Sequence, residues 1–224
     1  MTPTTDQFTA LAEWDTPALS NALDSLRLRP PDTGYTDGSI TRLVGDGAMV
    51  GTAVTAKMVA REFGEDGIPV AKLHELVAAV DGPVVVVLED VDATPGAGAF
   101  LGEVNGSLLA ALQISGFVTN GRVRDINELR ELGYAVYAQG LCVARSHMRL
   151  VQVGAPVVVA GLAVQSGDVI HGDEHGVLHI PTAALPGIID KATQIREEEQ
   201  SVVEWSRSNE FTVDGLLALR RVRH

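Results

Sequence analysis

The densest group of reactive side chains is Asn120-Gly121-Arg122-Val123-Arg124-Asp125, which follows the apolar run Gly116-Phe117-Val118-Thr119. A buried strand that runs into a helix start is where open α/β folds place their ligand crevices. The amides of a first helical turn have no intrahelical partner and favour anions. Arg124 offers a planar fork that matches a carboxylate through two hydrogen bonds. Asp125 offers hard oxygen to a divalent cation, directly or through water. The same two residues also allow a structural reading, in which Asp125 caps the following helix and Arg124 pairs with Glu128 one turn on. Local sequence alone leans towards that second reading, because Asp after Arg at a helix start is weakly specific.

Other reactive residue types narrow the chemistry. The chain has three lysines, Lys57, Lys72 and Lys191. A Schiff-base enzyme needs a lysine whose pKa is lowered by burial or by a cationic neighbour. Lys57 is expected in solvent on the strand face of Thr55, and the other two lie in polar helical stretches, so a metal route is better supported. His171, His175 and His179 recur every fourth residue, a spacing that aligns ligands only on a helix. Gly167, Gly172 and Gly176 mark strand, turn and strand there instead, so these histidines are expected at turns and on the surface. His74 and His147 are expected to pack; the alternative for His147, beside Arg145, is contact with an anion. Cys142 is the single cysteine, which leaves no intrachain disulfide and no Cys-based zinc site.

These residues need elements to hold them. Thr16 is expected to cap a first helix that starts at Pro17 and ends near Arg27, before Pro30-Pro31. Residues 32–47 read as a loop with one short strand. Strands are expected at Thr52 to Val59 and Val84 to Leu88, the second a continuous apolar run covered on both faces. Helical spacing runs from Ile68 to Val80 and from Gly102 to Gln113, the latter with Leu108, Leu109 and Leu112 on one side. Short strands follow at Gly116 to Thr119 and Ala135 to Tyr137, with a helix from Asp125 to Leu132 between them. Glycine turns then join strands near Pro156 to Val164, Asp168 to His171 and Val177 to Ile180. A long polar helix from Thr182 to Ser208 closes this order, of the kind that packs on a neighbouring subunit.

Composition excludes several function classes. With 224 residues, 46% hydrophobic and 21% charged, the chain suits one α/β domain spanning 1–224. The net charge of −12 argues against nucleic acid, since the only dense basic cluster is Arg220, Arg221 and Arg223. An anionic substrate remains compatible, because one or two arginines in a cleft outweigh a distant acidic surface. The longest apolar run, Pro83 to Leu88, is far too short to span a bilayer. Met1 to Phe8 lacks the basic and apolar regions of a signal peptide, so a cytoplasmic location is expected.

The stretch Phe100-Leu101-Gly102-Glu103-Val104, followed by Gly116 to Asp125, resembles the signature of the RraA-like family. That family groups RraA proteins with metal-dependent pyruvate aldolases such as 4-hydroxy-4-methyl-2-oxoglutarate aldolase. Gly51-Thr52-Ala53-Val54-Thr55-Ala56 and Gly167 to Asp173, leading to Gly176 and Pro181, agree with it, so the resemblance runs from about Thr16 to Pro181. One departure stands out: the aldolase branch carries Asp where this chain has Glu103, keeping a carboxylate one methylene longer. Asn21 likewise stands where many relatives have Asp.

The resemblance implies a layered β/β/α domain of the phosphohistidine-swivelling type, assembled as a trimer or a dimer of trimers. It also implies a class II aldolase that uses Mg²⁺ or Mn²⁺ and releases pyruvate as its enolate, with oxaloacetate decarboxylation as a companion activity. In that scheme Arg124 binds the carboxylate and carbonyl oxygens, Asp125 holds the metal, and Glu103 reaches it through water. Backbone amides from Gly102 through Val104 to Asn105 cradle the pyruvyl carboxylate. A C-terminal glutamate reaches the neighbouring subunit's metal; among Glu197, Glu198 and Glu199, otherwise a solvated helix face, Glu199 is the candidate. The alternative within the family is a non-catalytic protein that inhibits a ribonuclease by contact, a role that has no need of the Glu103, Arg124 and Asp125 trio. No glycine-rich nucleotide loop of the usual pattern supports a methyltransferase.

Overall fold

Four strands of β-branched and small apolar residues form the parallel centre of the molecule, and everything else either extends or covers them. The computed structural model describes residues 3–64 and 66–222. The first half holds α1 (Thr5–Ala12), α2 (Thr16–Leu26), β1 (Thr41–Val44), β2 (Met49–Val59), α3 (Ala71–Ala78), β3 (Val84–Asp90) and α4 (Glu103–Ala111). Next come β4 (Gly116–Thr119), β5 (Arg122–Val123), α5 (Ile126–Arg130), β6 (Ala135–Ala138), β7 (Gly140–Leu141) and β8 (Arg149–Val153). The remainder is β9 (Val157–Val159), β10 (Leu162–Val164), β11 (Val169–Asp173), β12 (Gly176–Ile180), α6 (Ile188–Arg207) and α7 (Val213–Val222).

The main sheet has eight strands in the order β1-β6-β4-β3-β2-β11-β12, with β8 also paired to β2. Strands β6, β4, β3 and β2 run parallel, while β1, β8, β11 and β12 pair antiparallel at the margins. The long β2 makes this possible by splitting its free edge, β11 taking Met49 to Thr52 and β8 taking Ala56 to Val59.

Alternation along the strands sorts side chains into two layers. Val84, Val86 and Leu88 of β3 face helices, packing with Leu73 and Val77 of α3, Leu109 of α4 and Leu129 of α5. Val85 and Val87 face the other way, onto Val157, Val159, Leu162 and Val164 of the small β9–β10 sheet. This gives the β/β/α layering. A third cluster joins α1, α2 and the start of α6 to β11 and β12, through Phe8, Leu11, Leu19, Leu23, Ile188 and Leu178.

Several boundaries differ from the sequence expectations. The cap of α2 is Asp15, whose side chain accepts from Ala18 N at 2.8 Å, so Thr16 is already helical. A preceding helix, α1, is closed by a capping box between Thr4 and Gln7. Of the leucines expected on one side of α4, only Leu109 is fully buried; Leu108 is about half exposed, because adjacent helical residues point 100° apart. The expected helix from Thr182 begins as a 3-10 turn and becomes α-helical at Ile188. Beyond it α7 forms a further helix. No helix among the described residues is long and apolar enough to cross a membrane. Arg223, part of the terminal basic cluster, lies outside the described residues, as do Met1 and Thr2 of the N-terminal stretch.

Candidate active site

The carboxyl ends of β3 and β4 are tied together by one residue of the polar constellation. Asn120 Oδ1 accepts from Asp90 N at 2.7 Å, and Asn120 Nδ2 donates to Asp90 O at 3.0 Å, copying a ladder pair with a side chain. Asp90 is buried, which pushes its carboxyl pKa up, although the amides of Gly96 and Asp92 donate to it. Gly121 fits because its amide turns onto Thr119 Oγ1 at 3.0 Å. Arg122 lies on the surface against Gln139. Asn120, Gly121 and Arg122 therefore build the turn, and Arg124 and Asp125 are free for other work.

Asp125 does not cap the helix it precedes. It sits in the left-handed region, at φ 53° and ψ 48°, and makes no side-chain bond within α5. Asp tolerates this conformation better than most residues, at a cost of about 1 kcal/mol. From there Oδ2 accepts from Glu103 N at 2.9 Å, capping α4 from 22 positions away. The same oxygen is 3.5 Å from Arg124 Nε, and no Arg124–Glu128 pair forms among the described residues. Both members are more than a third exposed, so this ion pair stabilises by only about 0–1 kcal/mol. Its consequence is positional: the guanidinium, the carboxylate and the first turn of α4 are linked.

Gly102 makes this approach possible. A Cβ at that position would lie 2.5 Å from Asp125 Oδ2 and 3.0 Å from both Cγ and Nε of Arg124. Asn105 is anchored through Nδ2 to Phe100 O at 2.7 Å. Gly102, Val104, Asn105, Arg124 and Arg145 line one cleft of about 290 Å³. Phe100 and Met148 give it an apolar side. With Glu103 N satisfied by Asp125, the amides of Val104 and Asn105 are the first-turn donors left beside the cleft. Of the expected site residues, Gly102, Val104, Asn105 and Arg124 line the cleft, whereas Asp125 is joined to its edge through Glu103 N and Arg124, and Glu103 is exposed. Arg145 and Met148 enter from the loop before β8, a strand with no clear signal in the sequence. Glu199 is exposed on α6.

Other candidates resolve differently. Lys57 is not free in solvent: its Nζ lies 3.3 Å from Glu89 Oε2 with a quarter of the side chain exposed. It is not among the residues that line the cleft. His171 is fully buried rather than at the surface, since every residue of β11 is covered. Its Nδ1 is 3.0 Å from Thr16 Oγ1 and its Nε2 is 3.1 Å from Trp14 O. Only the Nε2–H tautomer satisfies both, with the Thr16 hydroxyl donating to Nδ1. Burial lowers its pKa, favouring the neutral ring. His175 lies in the β11–β12 turn as expected, and His147 packs edge-on against Phe63.

Asp173, Glu174 and His175 form the one group of three potential ligands found within 4.8 Å among the described residues. Both oxygens of Asp173 are already used, Oδ2 by Thr16 N and Oδ1 by the amide and ring of His175. Burial alone would raise the Asp173 pKa, but these donors outweigh it and hold it down. Glu174 pairs with Arg42 at 3.4 Å. The group closes a turn.

The profile of the RraA-like family (Aldolase/RraA) matches residues 16–179. A Halalkalibacterium halodurans protein named "Putative 4-hydroxy-4-methyl-2-oxoglutarate aldolase" is 27% identical over 187 residues, covering 83% of this chain and 81% of that one. The uncharacterised MJ0644 of Methanocaldococcus jannaschii is 35% identical over 92 residues, 41% of this chain and 44% of that protein, so the match spans less than half of it. Among solved structures, Streptomyces coelicolor RraAS2, described as an unusual member of the RNase ES inhibitor RraA family, superposes with a TM-score of 0.72. It is 20% identical, over 90% of this chain and 98% of that one, a likeness of fold. The chain belongs to the RraA-like family, which holds both aldolases and RraA regulators.

Proposed function

We propose that this protein is a divalent-metal-dependent aldolase that cleaves a 4-hydroxy-2-oxo acid to pyruvate and decarboxylates oxaloacetate by the same chemistry. The observation that carries this reading is the linkage of Arg124, Asp125 and the first turn of α4 at one small cleft. The relative named as an aldolase supports it at the level of the family.

Asp125 decides whether the residues suit a hard cation. Its Oδ2 is held by Glu103 N and Arg124, while Oδ1 has no hydrogen bond among the described residues. Magnesium takes one or two carboxylates and completes its shell with water and substrate, so one free oxygen on a solvent-reachable Asp fits. Glu103, exposed at the start of α4, would reach the ion through water. Glu199 of a neighbouring copy would add a further carboxylate in an assembly of three or six chains.

The first-turn amides of Val104 and Asn105 would receive the carboxylate of the small 2-oxo acid. Arg124 would donate to its 2-oxo oxygen. When the C3–C4 bond breaks, its electron pair becomes the C2–C3 π bond, the carbonyl π pair moves onto the 2-oxo oxygen that Arg124 would face, and the C4 hydroxyl gives its proton to water as C4 becomes a carbonyl. A bound Mg²⁺ or Mn²⁺ would add Lewis-acid stabilisation of the same oxygen. Protonation at C3 then yields pyruvate; loss of CO₂ from oxaloacetate leaves the same enolate.

The test is pyruvate release from a panel of 2-oxo acids after chelation and re-addition of each ion. Release only with Mg²⁺ or Mn²⁺ supports the proposal. A folded protein that releases none from any acid with any ion would replace it with the non-catalytic, protein-binding reading.

A further inference from the structure

The cleft carries a second guanidinium, Arg145, that holding a pyruvyl group does not require. Arg124 enters from the segment before α5, whereas Arg145 enters from the loop between β7 and β8. No carboxylate lines the cleft among the described residues. The Arg145 side chain has no ion pair among those residues either, although Arg124 has Asp125. In a chain of net charge −12, Arg145 without an acid partner and Arg124 with only the shared Asp125 leave the cleft a local excess of positive charge.

The backbone that carries Arg145 is fixed on both sides. Ala144 O accepts from Ala99 N at 3.0 Å, and Ala60 O accepts from Ser146 Oγ at 2.9 Å and from His147 N at 3.2 Å. Ser146 is held at φ 55°, and Met148 is buried. Gly98 must lack a side chain, because a Cβ there would collide with the carbonyl of Arg145. Such anchoring lowers the cost of ordering a long cationic side chain around an anion. A volume of about 290 Å³ lies at the lower bound for small-molecule sites, which suits an acid of about four to six carbons.

We infer that Arg145 binds the second carboxylate of a dicarboxylic 2-oxo acid whose 2-oxo end is held by Arg124 and the first turn of α4. Arg145 is then the specificity residue that separates diacids from monocarboxylic 2-oxo acids. The inference rests on the cleft being a 2-oxo acid site, but not on turnover.

The experiment measures binding by calorimetry, with Mg²⁺ present, of 2-oxoglutarate and 2-oxopentanoate. These share a five-carbon 2-oxo skeleton and differ in a carboxylate against a methyl at C5. A charge-assisted pair predicts that the folded full-length protein prefers the diacid by about tenfold to hundredfold. In Arg145→Met this ratio falls towards one, and in Arg145→Lys part of it returns, since the charge is kept but the fork is lost. Arg124→Met weakens both acids together. Melting curves establish that each variant is folded, and Arg145→Gln serves if the Met variant is not. With 4-hydroxy-2-oxoglutarate as substrate, whose second carboxylate takes no part in the bond cleavage, Arg145→Met acts through KM more than kcat. Equal wild-type affinity for the two acids, or a ratio unchanged in Arg145→Met, overturns the inference. Diacid preference without pyruvate release from any substrate would overturn the aldolase reading and leave this one standing.

Discussion

Replacing Gly102 by alanine perturbs the site without removing any charged group. Its φ of −150° and ψ of −169° are extended backbone that alanine adopts freely, so no conformational penalty enters. The new Cβ would stand 2.5 Å from Asp125 Oδ2, where ordinary contact begins at 3.4 Å, so the carboxylate must retreat by about 0.9 Å, the difference of the two. Arg124 must yield too, with two of its atoms at 3.0 Å. Retreat lengthens the 2.9 Å bond to Glu103 N, a partly exposed contact worth about 1 kcal/mol. For a domain of this size that lowers Tm by about 2–4 °C. Activity should fall much further, because displacing positioning groups by about 1 Å costs on the order of 100-fold. Pyruvate release coupled to a dehydrogenase, read beside a melting curve, separates the two effects. Gly106→Ala is the contrast: its Cβ would meet Leu129 and Leu132 at 2.7 and 2.9 Å, so it should lower stability chiefly through the core. Wild-type activity in Gly102→Ala would refute the idea that this glycine sets the Arg124–Asp125 geometry.

Asp125→Asn should keep stability within about 1 kcal/mol of wild type, since Asn caps as well as Asp, yet raise the Mg²⁺ concentration for half-maximal activity by at least about tenfold; Asp125→Ala should lose both. Magnesium titrations of activity and melting curves check this. His171 has a pKa below its unfolded value of 6.5 because it is buried, so the unfolded chain binds the extra proton. Stability is therefore full above about pH 6.5 and declines as pH falls through the lowered native value, a decline that His171→Gln should lack in melts across pH 7.5 to 5. Leu109→Ala should cost about 2–5 kcal/mol in denaturant unfolding, and Leu108→Ala less than about 0.5, because only Leu109 faces the core.

The parallel centre was legible because its strands declare themselves one by one. Val84 to Leu88 and Gly116 to Thr119 are continuous apolar runs, and every residue of both is buried, as covered parallel strands require. Helix α1 was not, since its apolar face is only Phe8 and Leu11, and its capping box reads as an ordinary polar start. His171 was misread because flanking glycines suggested a surface turn, while both faces of β11 are covered by elements distant in sequence. At the site, residue types at a strand-to-helix turn made Arg124 and Asp125 candidates, but local sequence leaned towards a structural pairing, and the family resemblance gave them their weight. Their partner did not follow from local rules: Asp125 leaves its own helix uncapped and caps α4 instead, a choice fixed by a left-handed backbone and by Gly102. Arg145 lies farther still along the chain and is brought to the cleft by the pairing of β8 with the far half of β2 and by its loop's bonds to Ala60 and Ala99.

The central claim is that Arg124 stands where charge develops on a 2-oxo acid. The most direct measurement is the steady-state rate of pyruvate formation from oxaloacetate with saturating Mg²⁺, for wild type and for Arg124→Ala of equal Tm. The account predicts a rate for the variant lower by about 100-fold or more, that is, at least about 2.7 kcal/mol of lost transition-state stabilisation. An Arg124→Ala protein that forms pyruvate at the wild-type rate would contradict it.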